Sequence, residues 1–228
     1  MRLYSLNDAP PLGPGLTVRE SAFWPILGAV VIFGCTGATV WALLAGHLPP
    51  IFWISVAFLV LFATLVLRSL VTAFSIDNWR LHIGEEGIAV KFRTPLNRHL
   101  SRDNPVIAVI PWHEIESVHE VKRTVTVRHQ PRGQIRTHAY LAFTLRNDAP
   151  ELAEAILNER TLPPPQGCIS VGFVHDAAVM NGARELRIEL TSPHTHATPS
   201  ARKILKAIAP HAPITEAGYE QGEGRLGE

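Results

Sequence analysis

The chain has 228 residues, 46% hydrophobic and 18% charged, with a formal net charge of +1. Soluble domains carry about 25% charged residues, so the composition excludes a wholly water-exposed chain but leaves room for one soluble domain. Its two cysteines, Cys35 in an apolar run and Cys168 in the polar part, form no disulfide framework and suit a reducing compartment.

Residues 1–21 include Pro10, Pro11, Pro14, Gly13 and Gly15 and read as a flexible cytoplasmic lead. A cleaved signal peptide is not expected. Its apolar region would be about 7 to 15 residues long, whereas here a longer apolar run begins only after twenty residues.

Residues 22–46 carry no charged side chain, and residues 51–74 carry one, Arg68. At about 1.5 Å of rise per residue, each run is long enough to cross a hydrocarbon core of roughly 30 Å. Neither shows the polar face of a soluble helix. Arg68 lies near the end of its run, where a guanidinium can snorkel to the headgroups. The linker Gly46-His47-Leu48-Pro49-Pro50 is too short to span a bilayer, so residues 22–74 are expected to form a two-helix transmembrane hairpin. The turn has no positive charge apart from His47. Arg2 and Arg19 precede the hairpin, and Arg68, Arg80, Lys91 and Arg93 lie at or after its end. The positive-inside rule then places both termini in the cytoplasm, as a multi-pass protein of the cell inner membrane. Trp24 and Trp53 suit interfacial belts. Gly34, Ala38, Ala42 and Gly46 form a small-residue stripe that permits close helix contact.

Residues 75–209 make one ordinary domain. Residues 79–83 and 88–93 alternate apolar and polar on either side of Gly84-Glu85-Glu86-Gly87, the pattern of a β-hairpin. A polar loop over 94–105 leads to an apolar strand at 106–110. Pro111 interrupts it before 112–121, read as a bent strand. Strands follow at 124–129 and 139–146, split by Pro131-Arg132-Gly133. A short amphipathic helix at 149–160, with Asp148 as N-cap, stops at Pro163-Pro164-Pro165. Two more strands, 168–174 and 185–190, precede a closing helix at 199–209 with Thr198 as N-cap and Ile204, Leu205 and Ile208 facing inward. The tail, 210–228, sets Glu216, Glu220, Glu223 and Glu228 against Arg225 and reads as disordered.

Two membrane helices are thus followed by Trp79-x-Leu81-x-Ile83-x-Glu85-Glu86-Gly87-Ile88, a loop, and Ile110-Pro111-Trp112-x-x-Ile115. This pattern resembles bacterial pleckstrin-homology-like (PH-like) domain proteins with an N-terminal membrane hairpin. The resemblance is clearest over 79–121 and reaches the closing helix only by element order. It implies a mostly-β, α+β soluble domain: a seven-stranded bent barrel capped by a C-terminal helix, with 149–160 as an insertion. Trp79 and Trp112 are expected in its core.

No nucleophile elbow, phosphate loop or His-Glu-x-x-His pair is present in the sequence, so an enzyme is the least favoured class and no cofactor is expected. His113, Glu114, Glu116, His119 and Glu120, and separately His194 and His196, can be drawn as metal clusters. Spacing alone does not make such ligands converge, and a solvated surface is the better reading. Between residues 78 and 146, eleven Lys or Arg face six Asp or Glu, a balance of +5. Arg93, Arg98 and Arg102 are the candidate binding residues, against anionic lipid headgroups at roughly 1 kcal/mol each or against a protein partner. Glu85 and Glu86 occupy the turn where lipid-binding members place basic residues, which favours protein. The expected role is a membrane-anchored, non-enzymatic scaffold with a protein partner or a homo-oligomer, and no nucleic acid. Peripheral lipid sensing is the alternative.

Overall fold

A computed structural model describes residues 1–74, 78–93, 103–127, 134–161, 178–192 and 195–222. The chain divides into two compact units: a helical one over 20–78, and a β-rich one built from 1–19 together with 79–228.

In the helical unit, α1 (Phe23–Leu44) is joined to α2 (Trp53–Ala73) through a 3-10 turn at Pro50–Phe52. The residue that ends α1 is Gly46, in the left-handed region at φ 73°. It donates its N–H to Leu43 O at 3.1 Å, while His47 N–H reaches Ala42 O at 2.9 Å. These paired bonds satisfy the last carbonyls of the helix, and a side chain at position 46 would be strained there. The hydroxyls of Thr36, Thr39 and Thr64 donate to Ile32 O, Cys35 O and Leu61 O of their own helices, as apolar surroundings require. Within α1, the stretch Ile26–Leu44 is long and apolar enough to cross a membrane; the described apolar stretch of α2, Trp53–Leu67, is shorter. Ala29 and Val56 are the buried apolar residues described in this unit. The small-residue stripe does not behave as expected at Gly34, where an added Cβ would meet nothing within 4 Å. The side chains of Trp24 and Arg68 lie outside the described residues.

The β-rich unit contains β1 (Arg2–Ser5), β2 (Gly15–Glu20), β3 (Trp79–Gly84), β4 (Gly87–Lys91), β5 (Pro105–Pro111), β6 (Ile115–Val127) and β7 (Gln134–Leu145). After these come α3 (Pro150–Thr161), β8 (Ala178–Asn181), β9 (Glu185–Ser192), β10 (Thr195–Thr198), α4 (Ala201–Ile208) and β11 (Gly218–Gly222). The strands run in the order β1-β5-β4-β3-β2-β10-β9-β7-β6-β11, with β8 paired to β9 off this path. The β1-to-β2 half pairs antiparallel throughout; in the other half, β11 joins β6 in parallel. The seven strands implied by the resemblance are therefore exceeded, with eleven among the described residues.

Four of these differences have visible causes. The first is at the lead, 1–21, which supplies two strands. Leu16 and Val18 alternate with Thr17 and Arg19 along β2, and Val18 is buried, but the neighbouring prolines and glycines conceal this short period in the sequence. The second is at the tail, 210–228, expected to be disordered, which supplies β11. The third is in β6, one strand over Ile115–Val127 where two were expected, 112–121 and 124–129. The expected bend is a register shift between Ile115 and Ser117, which lets Ile115 and Val118, three apart, both be buried. The fourth concerns the two helix starts. Asp148 Oδ1 accepts from Arg184 Nε at 2.7 Å, and Ser200, not Thr198, precedes α4. The strand expected at 168–174 lies outside the described residues.

The core lies between the sheet and its helices, with Leu81, Ile110, Leu141, Phe143, Leu152, Leu186 and Ile204 fully buried. A side chain at Gly87 would meet Ile110 O at 2.2 Å, so β4 and β5 lie this close only because that residue has none. Trp79 and Trp112 are partly buried against this core. Trp112 Nε1 donates to Gly84 O at 3.1 Å, and its ring stacks on His211 at 4.8 Å. Arg80 Nη1 donates to Glu189 O at 3.3 Å, bridging β3 and β9 across 109 residues of sequence.

Candidate functional site

Pairing along the sheet decides where Arg93 sits. Phe92 N–H donates to Val106 O at 3.0 Å, so the β4–β5 ladder continues past Lys91 and draws Arg93 inward. Arg93 is buried, with its Nε 3.7 Å from Glu159 Oε1 on α3. The expectation that Arg93 is an exposed binding residue, for a lipid headgroup or a protein partner, is thereby corrected. Arg98 and Arg102 lie outside the described residues. Glu85 and Glu86 are exposed at the β3–β4 turn, as read. Beside α3 a groove of about 370 Å³ is lined by residues that include Leu3, Pro105, Glu151, Glu154 and Glu159, the last of which is the partner of Arg93.

The histidine-carboxylate segment does not converge. Residues 112–114 form a 3-10 turn, so the alternating strand assumed for His113 and His119 is broken. His113 is 80% exposed at its side chain. Among the described residues no group of three or more His, Cys, Asp or Glu is arranged to hold a metal ion. His194 lies outside the described residues, as does the side chain of His196.

The best-organised polar arrangement lies where β9 and β11 face one another across β7 and β6. Glu185, Arg187 and Glu189 alternate with Leu186, Ile188 and Leu190 along β9, so the charges share one face and the aliphatic residues line the core. On that face Arg187 stands in register with Ala142 of β7, and Ala142 with His119 of β6. The small Ala142 leaves the guanidinium room to extend. Arg187 Nε donates to Glu185 Oε1 at 2.6 Å; its two terminal nitrogens donate to Glu220 Oε2 at 2.8 Å and Oε1 at 2.6 Å. This is the bidentate geometry that only arginine offers a carboxylate. The Arg187 bond holds the Glu220 carboxyl below its ordinary pKa against the opposing effect of burial, and Glu220 in turn raises that of Arg187. His138 Nδ1 lies 2.8 Å from Glu189 Oε1.

Around this clamp the segment after α4 runs along β6. Val118 N–H donates to Pro213 O and Thr215 N–H to Val118 O, each at 2.9 Å. Gly218 to Gly222 then pair with Val121 to Val125. Lys122 Nζ lies 5.8 Å over the Tyr219 ring. Chemically, this is a strand-binding edge with a carboxylate receptor. Sequence reasoning missed Arg187 and Glu220 because they are 33 residues apart; the charge alternation along β9 was the only signal.

No family model, curated protein or solved structure matches the chain.

Proposed function

We propose that the chain is a membrane-anchored, non-enzymatic interaction module that displays its β-rich unit on the cytoplasmic face. One observation carries this reading: the helical unit is inserted between two adjacent strands. The chain leaves β2 at Glu20 and resumes at β3, and Arg19 and Trp79 are paired partners. A segment that departs and returns at neighbouring positions of one sheet crosses a bilayer an even number of times, so α2 is assigned the second crossing. The basic flanks Arg2, Arg19, Arg80 and Lys91 favour the cytoplasmic side. The order of meander, second half-sheet and closing α4 supports a PH-like domain enlarged by α3 and four strands, β1, β2 and β11 among them. Protein recognition is favoured over lipid sensing, because Arg93 is internally paired and the exposed β3–β4 turn carries Glu85 and Glu86.

Reporters fused before Met1 and after Glu228 test this in intact cells, together with alkaline extraction of the membranes. Both reporters should read cytoplasm and the protein should resist extraction until detergent is added. Either terminus outside, or release by alkali alone, overturns the reading.

A further inference from the structure

Strand β11 is held by its backbone and two side-chain ties, and scarcely by burial. Ala212 is buried, but no residue from Pro213 to Glu220 is, and Tyr219 is 77% exposed. Segments with little buried apolar area open far more readily than the core strands beneath them. Departure of β11 uncovers the β6 edge from Val121 to Val125, with unpaired N–H and C=O groups that template another strand. It also frees both terminal nitrogens of Arg187 while Glu185 keeps Nε fixed, so the guanidinium stays aimed. His119, in register with Arg187 across Ala142, has a buried Nδ1 without a hydrogen-bond partner, a polar atom for which the present strand supplies nothing.

We propose that the β6 edge is a docking groove for an extended acidic segment of a partner protein, and that β11 is a displaceable internal ligand covering it. The bound strand itself defines the chemistry required. Gly218 sits opposite Val121, and an added Cβ there would make only ordinary contact, 4.0 Å from Val121 Cγ2, so a side chain is admitted at that position. An aromatic ring lies near Lys122, and a carboxylate engages Arg187. Exchange of β11 between two copies is disfavoured. Pro213 and Thr215 tie the connector to Val118 of the same chain, which keeps β11 at high effective concentration beside its own edge. The proposal deepens the interaction-module reading and rests on it, but peptide capture is measured independently of topology, so the two can fail separately.

The test uses the full chain in detergent and a fluorescent peptide with the sequence of residues 211–222. Glu220→Lys in the protein breaks the internal clamp at an exposed carboxylate and leaves Arg187 and the core intact. The peptide should bind this variant at least about tenfold more tightly than wild type, a difference of one decade in Kd. Amides of Val121 to Val125 should exchange faster in the variant, and a peptide carrying Glu220→Lys should not bind. Equal affinity for both proteins, equal binding of both peptides, or unchanged amide exchange overturns the proposal. So does a concentration-dependent wild-type dimer that Glu220→Lys abolishes without peptide capture, which would assign the edge to a second copy.

Discussion

His82 shows how a single residue can set a pH limit on this unit. It is buried on β3, with Nδ1 3.0 Å from Thr17 Oγ1 of β2 and Nε2 buried without a hydrogen-bond partner. Burial disfavours the imidazolium and lowers the pKa from its ordinary 6.5. A depressed folded value means that the neutral form belongs to the fold. The stability it contributes is complete above about pH 6.5 and is lost as pH falls through the folded value. Denaturant midpoints measured between pH 7.5 and 5 should therefore fall less steeply for His82→Gln than for wild type; parallel slopes would remove His82 from the account. Arg93 makes a complementary point. A basic residue after a membrane helix reads as a headgroup ligand, but the distant Glu159 claims it, and leaving either charge without its partner would cost more than a surface pair is worth.

Among the elements, β11 differs from the other strands in being secured by charge. Glu220 has a lowered pKa, first through its hydrogen bonds to Arg187. Its contribution is therefore present above about pH 4.5, the ordinary value, and disappears as pH falls through the folded one. On acidification, protection of the Gly218 to Gly222 amides, corrected for intrinsic rates, should be lost before that of the β6–β7 ladder. Glu220→Gln should show the same early loss already at pH 7. Simultaneous loss in wild type would mean that β11 is integral to the core. By contrast, α4 is held by Ile204 and Ile208, both fully buried, and acid has no comparable lever on it.

For the whole molecule, the insertion of the helices between paired strands makes a strong statement about autonomy. Because Arg19 and Trp79 are neighbours in the β2–β3 pairing, an Asn-Gly turn replacing residues 20–78 should close that hairpin. The shortened chain should be soluble, monodisperse and β-rich by circular dichroism. A chain beginning at Trp79 keeps every strand that the sequence reading assigned to the domain, but it loses β1 and β2. It uncovers the edges of β5 and β3 and removes Val18 from the core, so it should aggregate. If that chain instead proves soluble and monomeric, the first two strands are dispensable.

The sequence by itself determined what depends on local period and run length. The apolar helices, the β3–β4 hairpin around its glycine turn, the apolar β5, the α3 helix and the inward face of α4 are all legible, because hydrophobic burial imposes spacing on neighbouring residues. Only tertiary structure decided the rest. Residues 2–5 and 15–20 are strands because β5 and β3 offer them edges. Residues 218–222 are a strand because β6 and Arg187 hold them. Arg93 is internal because Glu159 waits 66 positions away. Each of these depends on a partner distant in the chain, which the spacing of residues within the receiving segment does not identify.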